Sequence, residues 1–524
     1  MEKPSLEIGN GNWAIKENSL LGHTTVDGMI LPDPVTVTRA SLATRINPSG
    51  LVEDVALLGD EILDGGFDID GNWTKQTGWS IANGVANSVA SGNGQDLIRS
   101  VNGEITSGKI YKIEYTISNH VTGGVKTFLS GGGAVQGVTN SGNGTYVDYL
   151  LAPANNTSFK ITTASGGFTG SIENVSLKEA TINGLAKIDY TDGTASLLVE
   201  PARTNTVTYS EDFSQYSTGG TAITLTTGQL APDGTLTATK ISGVIGSSSL
   251  YRSGESSVTA TRSIYARTVS GTGTASLMSY YSNTNNTFTI TEEWQRFELT
   301  GAVTTGGANF YPLDFRDTST TLSEVIVWGS QSEEAAYSTS YIKTQGSTVT
   351  RAQDVIAKTG ISDKINSTEG VLFLEVAAFT TTNPVSFITL NDGGGNNKAA
   401  FYYNSVLNTI IFEYVVGGAT QASFTYTSSN ITNFNKVAFS WKLNQFKLFV
   451  NGIQVGSTDT SGSVNSAGTL NKLSFDFGNG AHDFEGKVKQ LQVYKTALTD
   501  LELESLTSFA SFTEMANTLN YTIY

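Results

Sequence analysis

The strongest constraint on this chain is a two-residue alternation of apolar and polar side chains, interrupted by turns of Gly, Asn and Ser. Lys109–Ile117, Arg262–Arg267 and Lys436–Trp441 all carry it, and successive side chains in such segments point to opposite faces of a strand. A helical pattern is confined to Asp500–Thr507, with Thr499 placed to cap it. A chain of 524 residues patterned this way predicts an all-β protein made of β-sandwiches in series, with minor helix.

Composition narrows the chemistry. There is no cysteine, so disulfides, thiolate metal sites and cysteine nucleophiles are excluded. The three histidines, His23, His120 and His482, are too scattered to suggest a multi-His metal centre. A net charge of -16 argues against nucleic-acid binding through a basic surface. No apolar run approaches membrane-span length, so membrane insertion is not expected. The opening residues carry no basic segment followed by an apolar stretch, so no secretory signal is expected.

Three larger units follow from the turn spacing. The first, 59–180, opens at Leu63–Phe67, and the second, 207–356, opens at Tyr209–Phe213. Both begin with a phenylalanine–acid cluster and end with an acid entering an apolar strand, which reads as two jelly rolls. The third, 357–508, contains Phe446–Gly452, a strand running into an Asn-Gly hairpin turn. The stretches 1–58 and 181–206 are read as two parts of one small β connector, and 509–524 as an apolar C-terminal tail expected to pack on its own unit or on a neighbouring subunit.

Several residues are candidates for binding. A pyranose face stacks on an exposed aromatic ring, which makes Trp73, Trp79, Tyr280, Tyr281, Tyr402 and Tyr403 candidate sugar platforms. In each Tyr-Tyr pair one ring is expected to face outward. Asn391 and Asp392 open the polar loop Asn391–Asn397, a further candidate for sugar or calcium. Paired carboxylates on one strand face, needed for glycoside cleavage, are not evident, and neither is a Ser-His-Asp order. No enzymatic activity is therefore expected.

Lys447–Gly452, Phe484–Gly486 and Val493–Asp500 resemble a laminin-G/concanavalin-like lectin sandwich, and the two earlier units resemble the jelly rolls of carbohydrate-binding modules. The resemblance to such jelly rolls implies a structural calcium held by an acid after the opening Phe and another before the closing strand: Asp68 with Glu173, and Asp212 with Glu324. The linkers Gly11–Gly22, Val37–Asn47, Gly50–Glu53, Ala186–Tyr190, Ser196–Asn205 and Thr348–Ala352 resemble segments of bacteriophage fibre and appendage proteins, a type common in phages of Bacteroidetes, including crAss-like ones. That resemblance implies a non-enzymatic virion protein, assembled in the host cytoplasm and exposed on the particle. Its N-terminal region would join other virion proteins, its sandwiches would bind host-surface or environmental glycan, and the chain would be a homo-oligomer, with a trimer favoured. Two other readings use the same residues: a virion decoration or connector protein without sugar binding, and a bacterial surface adhesin.

Overall fold

The computed structural model describes residues 2–63, 65–253, 259–280, 286–302, 309–317, 319–518 and 521–523, the side chains of 279, 280, 302 and 309 excepted. It is all-β: strands fill the sandwiches, and among the described residues two short α-helices, α1 (Asp500–Thr507) and α2 (Phe512–Thr518), stand near the end of the chain. Among the described residues no helix is long and apolar enough to cross a membrane. The chain divides into two units, one of residues 1–55, 183–203 and 351–524, the other of 56–182 and 204–350.

The first unit is a sandwich of a ten-stranded and a nine-stranded sheet. Glu369–Ala377, Asn435–Lys442, Gln445–Val450 and Gly486–Tyr494 form the centre of the larger sheet, and Ser386–Asn391, Lys398–Tyr403, Thr409–Val416 and Ala419–Thr427 much of the smaller. Their inward residues share one core, where the Phe412 and Phe439 rings stack 5.2 Å apart across the two sheets.

The connector is not a separate body. Leu6–Gly9 and Ser196–Val199 both pair with Gly486–Tyr494, and Val35–Thr38 pairs with Val355–Thr359. Leu6, Ile8, Val35, Val37, Leu197 and Val199 are consequently buried in the core of that sandwich. The physical reason is that these short strands carry apolar faces too small to enclose a core alone. The two halves of the connector do meet, since the backbone N–H of Ile46 donates to Asp189 and the guanidinium of Arg45 to the Ile188 carbonyl. The C-terminal tail packs on its own sandwich: Lys436 pairs with Glu514 at 2.7 Å, and Asn433 donates to the Asn517 and Thr518 carbonyls.

The second unit holds two sandwiches with separate cores, one built around Trp73, Tyr111, Phe159 and Phe168, the other around Phe213, Ile264, Leu277 and Phe310. In the first, two long strands, Ile110–Ser130 and Ser158–Thr181, run beside each other and slip register between Ser118 and Thr122 and again between Gly123 and Val125. Such bulges bend a strand and let it serve both layers. Gly123 (φ +78°) is required there, because a Cβ would lie 1.9 Å from the Gly167 carbonyl oxygen. The second is made of two five-stranded sheets.

Candidate functional site: an acidic, tyrosine-lined cleft

The second unit contains a cleft of about 300 Å³ to which both of its sandwiches contribute. From the first come the turn Val138–Asn143 and Tyr146; from the second come Tyr209, Glu211 and Asp212, with Thr227, Thr237, Thr344 and Gln345. The approach is close enough that a Cβ on Gly144 would sit 2.9 Å from the Leu236 carbonyl oxygen.

Each wall is fixed by its own hydrogen bonds. Asn140 exchanges backbone bonds with Val125, at 2.8 and 3.0 Å, and its side-chain amide donates to the Tyr115 hydroxyl at 2.9 Å. The Tyr146 hydroxyl donates to the Ser141 and Gly142 carbonyls, so the ring is locked against the turn while its body packs near Tyr115. On the other side, Gly346 N–H donates to the Thr208 carbonyl at 2.7 Å, which sets the Tyr209 segment beside Gln345. Glu211 accepts the Tyr341 hydroxyl at 2.8 Å and pairs with Lys343 at 3.0 Å. Asp212 caps the short 3-10 turn Phe213–Gln215 by accepting from the Ser214 N–H.

The site is electronegative. Burial pushes the Tyr146 phenol above its ordinary value, and the charges of Asp212 and Glu211 push it further. Asp233, whose carboxylate accepts from Thr235, is raised by burial and then by Glu211. Tyr341 is raised by burial and by the same glutamate. Two half-buried rings, several amides and hydroxyls, and fixed carboxylates make a surface suited to stacking on a ring face while hydrogen-bonding its hydroxyls.

Most residues expected from sequence to bind lie elsewhere. Trp73 and Trp79 are corrected: both are in the core of the first sandwich, 3% and 7% exposed. Trp73 packs against Phe67 and Phe159, and Trp79 against Phe168 while its indole N–H donates to the Gln95 carbonyl. Tyr403 is corrected for the same reason, being wholly buried among Phe401 and Phe484. Its neighbour Tyr402 points the other way, half-buried, stacked on Phe387 at 4.4 Å and donating to Glu413. The Tyr280 side chain and Tyr281 lie outside the described residues.

Asn391 is buried and spends its side chain on Thr389, Ser474 and the Gly393 N–H. Asp392 accepts from the Gly394 N–H and from Asn397, so both residues close their own loop. Of the four acids assigned to calcium, Asp68 is exposed, Glu173 accepts from Ser118, and Glu324 pairs with Lys240 at 3.2 Å. Asp212 belongs to the cleft. Among the described residues no group of three or more His, Asp or Glu side chains is arranged to hold a metal ion. Sequence reasoning singled out Tyr209–Phe213 as a domain opening and Asp212 as an acid, but missed Tyr146 and Glu211, whose partners in the cleft come from the other sandwich.

The lectin-like part of the first unit has a counterpart among known families. Residues 372–504 match the model of the Concanavalin A-like lectin/glucanases superfamily, in its laminin-G form. The solved structures to which the chain is similar include three glycan-binding modules. One is the CBM40 of the Ruminococcus gnavus IT-sialidase bound to α2,3-sialyllactose (21% identity, 27% of this chain and 83% of that one, TM-score 0.23). Another is domain 4 of AbnA, a Geobacillus stearothermophilus arabinanase, with arabinotriose (14% identity, 30% and 73%, TM-score 0.23). A third is the tandem CBM22 pair of Paenibacillus barcinonensis Xyn10C (12% identity, 53% and 98%, TM-score 0.18). No curated protein has a sequence that matches this one.

Proposed function

We propose that this chain is a non-enzymatic glycan-binding protein, displayed on a bacteriophage particle as a fibre or appendage subunit. The observation that carries glycan binding is the cleft, with Tyr146 and Tyr209 as ring platforms and Asn140, Asn143, Thr237 and Gln345 as hydroxyl readers. The laminin-G-type match over 372–504 supports the same class of ligand. Non-enzymatic binding is favoured because Glu211 is held by Lys343 and Tyr341, and Asp212 by its own cap, so neither is free to act as an acid or nucleophile on a glycosidic bond.

The particle location is supported by the linker segments, above all Val37–Asn47 and Ser196–Asn205. Weak single-site binding suits a protein carried in several copies, because linked sites add through effective concentration. The test has two arms. The full chain on a glycan array binds at least one oligosaccharide class, and the folded fraction of Tyr146→Ala and of Tyr209→Ala, quantified from each variant's melting profile, loses that binding. Antibody against the chain labels purified particles. An empty array removes the glycan reading, and unlabelled particles remove the virion reading.

A further inference from the structure

We infer that the cleft selects by charge: it accepts uncharged or amino-bearing glycans and rejects glycans ending in a sialic or uronic acid, with Asp212 and Glu211 as the discriminating residues. This rests on the cleft being the glycan site. Two carboxylates, Glu211 and Asp212, line the space directly, and a third, Asp233, lies close enough to feel the Glu211 charge. Among the described residues Glu211 is offset by its ion pair with Lys343, whereas Asp212 makes no ion pair, so its charge on the cleft wall is not offset.

The field is felt by its neighbours. The Tyr146 phenol on the opposite wall is destabilised as an anion by both Asp212 and Glu211. A second negative group brought into the same space, the carboxylate of an acidic sugar, meets the same opposition. Neither lining acid can turn away to relieve it: Asp212 is held by the Ser214 N–H and hydroxyl and by the Gln215 amide, and Glu211 by Tyr341 and Lys343. Like charges about 5 Å apart repel, less at the exposed Asp212 than at the more enclosed Glu211, and the repulsion biases which ligand enters. A hydroxyl or an ammonium group meets no such cost, because carboxylate oxygens retain lone pairs to accept from it.

The experiment is a glycan array printed with matched pairs of oligosaccharides that differ only by a terminal sialic or uronic acid. The wild-type chain gives signal on the neutral member and about tenfold less on its acidic partner. Asp212→Asn keeps an acceptor for the Ser214 N–H, since Asn is as good a cap as Asp. It narrows the gap several-fold, read as the ratio of acidic to neutral signal within each pair, whatever the change in the neutral signal itself. Glu211→Gln, which frees the Lys343 charge, narrows it further, and added salt shrinks the wild-type gap by screening. Equal or stronger wild-type binding of the acidic members overturns charge selection while leaving glycan binding intact. So does a gap unchanged in both variants. No binding to any member of any pair overturns the glycan reading itself, and this inference with it.

Discussion

Arg39 and Asp354 stand 315 positions apart and form an ion pair of 2.7 Å, with neither side chain more than 2% exposed. Around them Lys187 reaches both Glu200 and Asp354, and Arg351 pairs with Glu200 at 3.0 Å. The Glu200 and Asp354 segments also exchange backbone-directed bonds, Glu200 N–H donating to the Asp354 carboxylate and Asp354 N–H to the Glu200 carbonyl. Five buried charges therefore tie the three separate stretches of the first unit at one point. Removing Asp354 leaves Arg39 buried without its partner and three cations against Glu200 alone, which costs about 3–5 kcal/mol. Asp354→Asn, nearly isosteric, is expected to lower the unfolding free energy of this unit by that amount in a denaturant titration. Wild-type stability in the variant would show that the network contributes nothing.

The same carboxylate sets an acid limit. Burial alone would raise Asp354, but Lys187, Arg39 and Arg351 together hold it below the usual carboxylate range. A depressed folded value means that the unfolded chain takes up the proton first as the pH falls. The contribution is complete above the ordinary aspartate value of about 4 and is lost as the pH drops through the folded value. Stability measured below pH ~4 should therefore fall more steeply in the wild type than in Asp354→Asn.

How much of this was legible in the residues depends on whether a feature is local. The alternation in Lys109–Ile117 predicts the observed pattern directly: Tyr111, Ile113, Tyr115 and Ile117 are buried and the residues between them are not. The Tyr402–Tyr403 pair splits between two faces as consecutive strand residues must. Periodicity does not fix which way Trp73 and Trp79 face, so both stand as candidate platforms; Phe159 and Phe168, distant in sequence, together with the nearby Phe67, enclose them. The cleft was hidden for the same reason. Tyr146 and Glu211 belong to different sandwiches, and no local pattern in either segment announces the other. The short connector strands carry no local sign of their hydrogen-bond partners, which lie near residues 355 and 490.

Trp79 separates a packing role from a binding one. Its ring is enclosed by the core and its N–H is spent on Gln95. Trp79→Ala should destabilise the first sandwich by about 3–5 kcal/mol, read as a shift in chemical denaturation. Glycan binding of the folded fraction is expected to stay at the wild-type level. Loss of binding with unchanged stability would restore Trp79 as a sugar platform.

Helix α1 closes the face formed by Val371, Phe373, Ala438 and Phe449 through Leu503 and Leu506. Its start is a full capping box, with Thr499 accepting from the Glu502 N–H and Glu502 accepting from the Thr499 N–H. Thr499→Ala removes the side-chain acceptor and should cost about 1 kcal/mol. Thr499→Ser keeps it and should cost little. Hydrogen exchange of the first-turn amides distinguishes the two variants.

The tail offers the last test of how the lectin-like sandwich is held. Lys436 is largely buried and gives its ammonium group to Glu514 at 2.7 Å and to the Ser508 carbonyl at 3.2 Å. Asn433 and Ser429 donate to the end of α2, whose own Ala516 is buried. Removing residues 509–524 would strip Lys436 of its carboxylate and Asn433 of its acceptors. The shortened chain should unfold about 1–2 kcal/mol more easily, and Glu514→Gln should reproduce only the ion-pair part of that loss. A shortened chain with the wild-type denaturation midpoint would mean that these contacts leave the sandwich no more stable than solvent does.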